Sequence, residues 1–286
     1  MDDKISENFL KQVLSKPESG KSENFLKQVL SKPELKINKK SQVTIFVVLG
    51  LMLIVLILIF LLLLRPAETE AYDEENPQAY IESCTRDATE EAIEIISEHG
   101  GDIHPRGSVL YKGIDRTFLC YNSQLYKKCI NQRPLLIEHI QKEIENYIYP
   151  KVYECFQALQ KNLEQKYEIE NPDDLKINAR IQSRHVSVEI DKYFSMKNEE
   201  DKKEFEKFTM NLVHPMYNLA EIAMEIVNQE AKYCDFNAVG YMVLHNEFDI
   251  KRFITGDSNT LYTIEERASG QKFTFAVRSC VLPPGL

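Results

Sequence analysis

The stretch that most constrains this chain is the apolar run from Val43 to Leu64, VTIFVVLGLMLIVLILIFLLLL. It contains 22 consecutive residues without a charge, and Thr44 and Gly50 are its only polar or flexible members. A helix of that length extends about 33 Å, enough to cross a hydrocarbon core of about 30 Å. A buried helix of a globular domain would carry a polar stripe, which this run lacks. The sequence therefore predicts a single transmembrane helix over residues 42–64.

The charges on either side of the run indicate its orientation. Lys36, Lys39 and Lys40 precede it, whereas Arg65 alone follows before an acidic stretch. Residues 1–40 carry nine lysines and six acidic residues, a net charge of +3, while the whole chain carries −9, so the part after the run carries −12. Excess lysine marks the cytoplasmic side. We expect an uncleaved signal anchor in the cell membrane, a cytoplasmic N-terminus and an acidic extracellular domain that excludes nucleic acid as a partner.

The segment before the run, residues 1–41, contains an exact duplication. The sequence SENFLKQVLSKPE occupies residues 6–18 and recurs at residues 22–34. In each copy a serine precedes an apolar helical face and a proline closes it, but one copy is too short for a stable isolated helix. Two interpretations remain open. The copies fold on the inner leaflet or on a partner, where two copies add avidity, or they are a recent duplication in a cytoplasmic tail or leader without function.

After the run, residues 65–77 read as an acidic spacer and residues 78–286 as a folded domain. Apolar residues at three- and four-residue steps predict three helical blocks, at about 78–100, Pro134–Tyr167 and Glu199–Tyr233. The glycine pair Gly100-Gly101 is a stop signal for the first block. Pro150 is expected to kink or split the second block.

Alternating apolar residues predict strands between and after these blocks. Lys176–Gln182 and His185–Tyr193 form a hairpin pattern around a two-residue turn. Three further strands are expected near Glu247–Thr255, Leu261–Arg267 and Lys272–Val277. Helical blocks mixed with hairpins predict an α+β extracellular domain with antiparallel strands, preceded by the single transmembrane helix.

The six cysteines all follow the apolar run: Cys84, Cys120, Cys129, Cys155, Cys234 and Cys280. An even number in an extracellular segment indicates disulfide bonds in an oxidising compartment. Buried free thiols are the alternative interpretation, and the chain has no C-x-x-C spacing that would favour zinc. Six cysteines allow about 15 pairings, so spacing alone leaves the connectivity open.

The fourteen tyrosines also follow the run, and tryptophan is absent. Tyrosine is favoured at binding surfaces because its ring adds contact area while its hydroxyl remains solvated. Tyr111, Tyr121 and Tyr126 surround the 120–129 cysteine loop, which makes this loop a candidate contact surface. Partly buried core tyrosines are the alternative.

No motif in the chain indicates catalysis. The six histidines are scattered without metal-ligand spacing, and no G-x-S-x-G, P-loop or G-x-G-x-x-G sequence occurs. The tripeptide His245-Asn246-Glu247 is typical of a surface turn. We therefore predict a protein that is not an enzyme and that holds no cofactor and no metal.

The segment Lys39–Leu49, KKSQVTIFVVL, resembles the start of the membrane segment in archaeal pilin-like proteins with a class III signal. The resemblance implies processing between Ser41 and Gln42, although serine occupies the position that is usually glycine or alanine. The outer domain is also similar to uncharacterised anchored proteins of small-genome archaea. That similarity lies in Tyr80–Cys84, Gly100-Gly101, Lys151–Cys155, the helix around Leu219–Val227, and Phe273–Arg278. It implies no known activity. The first disulfide pair that it implies is Cys84 with Cys155.

A disulfide scheme follows from the predicted elements. Cys84–Cys155 would join the first two helical blocks, whose apolar stripes must pack together. Cys120–Cys129 would close the tyrosine-rich loop, and Cys234–Cys280 remains by exclusion.

These observations predict a single-pass surface protein that is anchored in the lipid bilayer. Its acidic domain would serve binding or assembly, through a protein partner or self-assembly, as an adhesin or a pilin-like subunit. A receptor that signals inward through the duplicated motif is the alternative, and an anchored extracytoplasmic enzyme is the third hypothesis.

Overall fold

The computed structural model of this protein describes residues 48–56, 76–124, 126–199 and 201–280. The chain divides into two compact units, Met1–Glu68 and Thr69–Leu286.

In the first unit, the described residues 48–56 are helical and exposed. Within the described part of the chain, no helix is long and apolar enough to cross a membrane. Most of the predicted 42–64 span lies outside the described residues, as do the duplication, Ser41, Gln42 and most of the spacer.

The second unit is an α+β domain, as the sequence predicts. Its described helices are α1 (Pro77–His99), α2 (Leu136–Leu163), α3 (Met216–Tyr233) and α4 (Ala238–Leu244). Its described strands are β1 (Ser108–Tyr111), β2 (Ile114–Tyr121), β3 (Ile130–Asn131), β4 (Glu168–Glu170), β5 (Lys176–Gln182), β6 (His185–Lys197), β7 (Lys202–Val213), β8 (Phe248–Ile254), β9 (Thr260–Glu266) and β10 (Lys272–Arg278).

The strands form two sheets. The first has the order β1-β2-β10-β9-β8, with β3 paired to β2. All its pairs are antiparallel except β2 with β10, which are parallel. In the second sheet the long strand β6 pairs antiparallel with β4, β5 and β7. Helices α1 and α2 pack on each other, and α1 also contacts β7 of the second sheet and β10 of the first. Helix α1 therefore bridges the two sheets.

The buried apolar face of α2 explains why this segment folds as a helix. Its buried residues recur at three- and four-residue steps along one face, and each is nearly inaccessible to solvent: Leu136, Ile140, Ile144, Ile148, Val152, Phe156, Leu159 and Leu163. Pro150 lies on the exposed side, and the helix continues through it. Of the kink or split expected at Pro150, the split does not occur, because burial of the apolar stripe on both sides of the proline outweighs one missing backbone hydrogen bond.

The third predicted helical block is also partly wrong. Its first half, from Lys202 to Val213, is strand β7, and the helix begins only at Met216 after Pro215. Phe208 and Met210 are both buried and alternate with exposed neighbours, which is the strand period. Antiparallel pairing with β6 along the whole length of β7 satisfies backbone groups that β6 would otherwise leave unpaired.

Three disulfide bonds link these elements. They join Cys84 to Cys155, Cys120 to Cys129 and Cys234 to Cys280, the same three pairs as in the sequence-based scheme. The first ties α1 to α2, the second lies between β2 and the residue before β3, and the third connects the C-terminal cap of α3 to the segment after β10.

Replacing Gly100 by alanine should lower the free energy of unfolding by about 2–3 kcal/mol. Gly100 ends α1 in the left-handed conformation, with φ of 77°. A Cβ there would lie 2.9 Å from Cβ of Phe275 and 3.0 Å from the carbonyl oxygen of Thr274. Both contacts belong to β10 and its backbone, which cannot move without disturbing the sheet.

Gly107→Ala is the matched control, because Gly107 has a similar φ of 84° but no atom within 4 Å of the position that a Cβ would occupy. In that variant the free energy of unfolding should fall by only about 1 kcal/mol, the cost of placing alanine in a left-handed backbone conformation. Urea denaturation of both variants measures the difference. Equal losses would show that the contact with β10 is not tight.

Candidate functional site

The three tyrosines predicted to form a contact surface lie in different surroundings. Tyr126 is 55% exposed at the tip of the cysteine loop. The Tyr121 ring lies 5.0 Å from Phe118 and 6.0 Å from the Arg278 guanidinium. The Tyr111 ring lies 5.2 Å from Phe253 on the opposite edge strand of the sheet. Among the described residues, no ring contact joins the three, so the structure leaves Tyr126 as the exposed member of this surface.

A cavity of about 540 Å³ lies where α1 meets the ends of both sheets. Its wall comes from α1, from the end of β7 and from the β9–β10 turn: Glu90, Ile93, Glu94, Ser97, Glu98, Leu212, Val213, His214, Gly270, Gln271 and Lys272. A volume of this size is in the usual range for small-molecule sites, roughly 300–1,000 Å³. We call this space the α1–β7 cavity.

His214 lies in the wall of the α1–β7 cavity and is 6% exposed. Its backbone N–H donates to the carbonyl oxygen of Arg184 at 3.0 Å, which fixes it next to the β5–β6 turn. The Gln271 side chain lies beside the ring and is its hydrogen-bond partner, although the bond is outside the range of ordinary geometry. An unpaired buried polar group costs about 1–3 kcal/mol, so most such groups have a partner. Both ring nitrogens are inaccessible to solvent, so the ring belongs to the packing of the wall and not to its exposed surface.

Ser97 provides a second buried polar atom in the same wall. The residue is 8% exposed, and its Oγ atom has no hydrogen-bond partner among the described residues. Serine in a helix commonly bonds to a carbonyl one turn earlier. The Ser97 hydroxyl does not do so, and its oxygen is inaccessible to solvent although the residue belongs to the cavity wall. The imidazole of His214 and the hydroxyl of Ser97 are therefore buried behind the wall of this cavity.

The rim of the α1–β7 cavity is acidic. Glu90, Glu94 and Glu98 are exposed and follow one another at four-residue steps on α1, so they share one face of the helix. Neither Glu90 nor Glu94 forms an ion pair with another described residue. The Lys272 ammonium group, which also belongs to the wall, lies 3.7 Å from the carboxylate of Glu265. The Arg116 guanidinium lies beside Glu98, so the negative charge of the rim comes mainly from Glu90 and Glu94.

Burial lowers the pKa of His214 below its ordinary value, because the charged ring would lose its hydration. The side-chain hydrogen bond with Gln271 and the negative charge of Glu266 both raise this pKa, but their effects are smaller than that of burial. At neutral pH the ring is therefore neutral. Among the described residues no group of histidine, cysteine or acidic side chains has the geometry of a metal site.

A second polar cluster holds the segment after α1. Asp102 is buried, and its carboxylate receives hydrogen bonds from Thr117 at 2.9 Å and from Arg133 at 3.2 Å. His139 Nε2 lies 2.5 Å from the same carboxylate. Burial acts to raise the pKa of Asp102, but the bonds from His139 and Thr117 and the charge of Arg133 together lower it below its ordinary value. Because all three partners are directed at one carboxylate, the cluster ties the chain after α1 to β2 and to the start of α2.

A third buried group lies under α3. The Tyr262 hydroxyl donates to the carboxylate of Glu230, and both residues are at most 2% exposed. Burial raises the pKa of both groups. Arg252 lies 6.0 Å from the Tyr262 ring and pairs with Asp235 at 2.5 Å. These contacts join α3 to β8 and β9, so we assign them a structural role.

Sequence reasoning did not find the α1–β7 cavity. Its wall residues come from three segments far apart in the chain, and His214 and Ser97 have no motif around them. The regular spacing of Glu90, Glu94 and Glu98 was the one available signal, and such spacing is also typical of a solvated helix face.

Comparison of the chain with protein-family models, with curated proteins and with solved structures gives no match. Its function must therefore be inferred from the residues and geometry described above.

Proposed function

We propose that this chain is a single-pass membrane-anchored cell-surface protein whose acidic α+β domain lies outside the cell and binds a ligand or partner. The N-terminal tail is cytoplasmic, the apolar run crosses the bilayer, and the domain from about residue 78 onward is displayed. The role is binding or assembly rather than catalysis.

The distribution of the cysteines is the observation that carries this proposal. All six follow the apolar run, and all six are paired in the α+β domain. Disulfide bonds persist in oxidising compartments and are rare in the cytosol, where thiols are kept reduced. A domain joined at three places fits the outer side of a membrane. The lysine-rich flank before the apolar run supports the same orientation.

The α1–β7 cavity favours binding over catalysis. The polar groups that it presents to solvent include the exposed carboxylates of Glu90 and Glu94. Such groups attract a ligand by charge. The apolar wall residues Ile93 and Leu212 add contact area.

Protease added to intact cells should remove the α+β domain and leave an N-terminal tag protected. The reason is that the apolar run separates the lysine-rich tail from the disulfide-bonded domain. Detection of both ends by antibodies against terminal tags measures the result. Permeabilised cells are the control, because there the N-terminal tag must also be digested. Protection of the C-terminal tag in intact cells would contradict the orientation and its link to the disulfide bonds.

The N-terminal sequence of the protein purified from cells tests the resemblance to pilin-like subunits. N-terminal sequencing that begins at Gln42 would support processing after Ser41 and an assembly role. A chain that begins at Met1 would leave a signal anchor with its duplicated tail in the cytoplasm, the state that a receptor function requires.

A further inference from the structure

Two stretches of the α+β domain lack acidic residues, and they contain strands that pair with each other. Residues 116–137 contain four basic residues and no acidic one, and residues 267–286 contain three basic residues and no acidic one. The first stretch includes most of β2 and the second includes β10, and these strands pair in parallel with Tyr121 opposite Arg278. Positive charge is therefore concentrated on one part of an otherwise acidic domain.

Two disulfide bonds hold the segments at the end of these strands. Cys120–Cys129 closes the loop after β2, and Cys234–Cys280 joins the end of α3 to the segment after β10. The backbone N–H of Cys280 donates to the carbonyl oxygen of Lys127 at 3.2 Å, which links the two disulfide-bonded segments directly. The end of α3 and the cysteine loop therefore belong to one surface.

Backbone hydrogen bonds fix the cations of this surface to the same strands. The Asn122 side chain donates to the carbonyl oxygen of Lys128 at 2.7 Å, and the Asn122 N–H donates to the carbonyl oxygen of Arg278 at 3.1 Å. A partner would thus bind without having to order the loop, which reduces the entropic cost of association. We call this surface the cationic corner, and it consists of Tyr126, Lys127, Lys128, Ile130, Lys232 and Arg278.

The cations of the cationic corner are available to a partner. Lys127, Lys128 and Lys232 are exposed, and the half-buried Arg278 adds positive charge behind them. None of the four forms an ion pair with another described residue. The Lys232 ammonium group lies 4.9 Å from the Tyr233 ring, a contact that leaves its positive charge in place.

The acidic residues at the end of α3 are already engaged. Glu230 is 2% exposed and accepts a hydrogen bond from the Tyr262 hydroxyl, and Asp235 pairs with Arg252 at 2.5 Å. Neither carboxylate therefore neutralises the lysines. A partner with carboxylates would gain charge-assisted hydrogen bonds to the ammonium groups, and the complementary charge would direct its acidic side to this corner.

Apolar side chains beside the cations favour a protein as the partner. Ile130 is 68% exposed, Tyr126 is 55% exposed, and Tyr233 at the end of α3 is 63% exposed. Tyrosines surrounded by charged groups are typical of the residues that contribute most to protein interfaces. An anionic polysaccharide would neutralise the lysines but would leave Ile130 in water, whereas an apolar side chain of a peptide would cover it.

We propose that the cationic corner binds an acidic peptide segment of a protein partner. Carboxylates of the segment pair with Lys127, Lys128 and Lys232, and its apolar side chains pack on Tyr126 and Ile130. This inference rests on the proposed binding function and identifies the class of partner.

Fluorescence anisotropy of a labelled peptide, titrated with the full chain in a neutral detergent, tests the proposal. The probe is the peptide Glu-Glu-Leu-Glu-Glu-Leu-Glu-Glu. We expect saturable binding with a dissociation constant on the order of 10–100 μM at low salt. Raising the salt concentration from about 0.05 M to about 0.5 M should weaken binding by about 10-fold, because exposed charge pairs are screened. The same peptide with glutamine in place of every glutamate should not bind.

The double variant Lys127→Glu with Lys128→Glu should weaken binding by about 10-fold or more, because two attractions become two repulsions. The backbone carbonyl groups that hold the loop are unchanged, so the urea midpoint should stay the same. Lys202→Glu with Lys203→Glu is the matched control, because this exposed lysine pair at the start of β7 gives the same change of charge outside the corner. Ile130→Ser should weaken binding by about 3-fold without changing its salt dependence.

Three results would overturn the proposal: no binding of the acidic peptide, equal binding of the glutamine peptide, or equal weakening by the two lysine-pair variants. Heparin is the final comparison. Binding of heparin without binding of the peptide would assign the corner to an anionic polysaccharide and refute a protein partner. The titration does not depend on membrane orientation, so a failed protease experiment with successful peptide binding would refute the location and leave the class of partner intact.

Discussion

Replacing both Cys84 and Cys155 by alanine should lower the free energy of unfolding by about 4 kcal/mol. This disulfide joins α1 to α2 across a sequence separation of 71 residues, with 6.4 Å between the two Cα atoms. A cross-link that closes a long loop restricts the unfolded chain more than one that closes a short loop. Helices α1 and α2 carry much of the buried apolar surface, so the bond also holds together the largest helix–helix contact.

The double variant Cys120→Ala with Cys129→Ala is the matched comparison. Its disulfide closes only 9 residues of sequence separation, so its removal should cost about 2.5 kcal/mol. Cys120 and Cys129 are at most 4% exposed and Cys155 is also buried, whereas Cys84 is only partly buried. Urea denaturation of the oxidised full chain, at constant m-value, measures both losses. A larger loss for the short loop would contradict the loop-length argument.

Replacing Asp102 by asparagine should lower the free energy of unfolding by about 3–4 kcal/mol at neutral pH. The Asp102 side chain is 5% exposed, and it is the shared acceptor for Arg133, His139 and Thr117. Its loss leaves the Arg133 guanidinium without its carboxylate. The expected cost is in the lower part of the range for broken buried ion pairs, because the Arg133 and His139 side chains remain 26% and 28% exposed.

The pH dependence of this loss follows from the lowered pKa of Asp102. Above the ordinary value of about 3.9, Asp102 is ionised in both the folded and unfolded chains, and its full contribution is present. As the pH falls through the lowered pKa of the folded state, the folded protein takes up this proton and the contribution is lost. The stability difference between the wild type and Asp102→Asn should therefore be constant near pH 7 and should narrow below about pH 4.

Asp87→Asn provides the control for this experiment. Asp87 is exposed on α1, so its substitution removes the same charge without a buried cluster. We expect a change within about 0.5 kcal/mol and no narrowing at low pH. Urea denaturation from pH 7 to pH 3 measures both variants. A pH-independent difference for Asp102→Asn would show that the carboxylate stabilises the fold by shape rather than by charge.

The local pattern of the sequence determined several elements of this fold. The apolar stripes predicted α1 and α2 near their observed bounds, and the predicted Lys176–Gln182 strand is β5 residue for residue. The three C-terminal strands also lie within one or two residues of their predicted positions. Each of these elements buries one face, so the spacing of apolar residues close together in the sequence is enough to predict it.

Strand β7 shows where the local pattern was insufficient. Phe205, Phe208 and Leu212 have helical spacing, while Phe208, Met210 and Leu212 alternate as in a strand. Both periods fit the same residues. The strand forms because its backbone pairs with that of the long neighbouring strand β6.

The candidate site depended on tertiary structure even more strongly. The sequence placed Glu94 and Ser97 in the first predicted helical block and His214 in the third, and it showed nothing unusual at any of them. Packing of α1 against β7 and the β9–β10 turn brought them to the wall of one cavity and buried the imidazole beside Gln271. The apolar run and the distribution of the cysteines are properties of the sequence alone. The cavity is a property of long-range contacts, because burial and missing hydrogen bonds exist only after the distant segments have packed together.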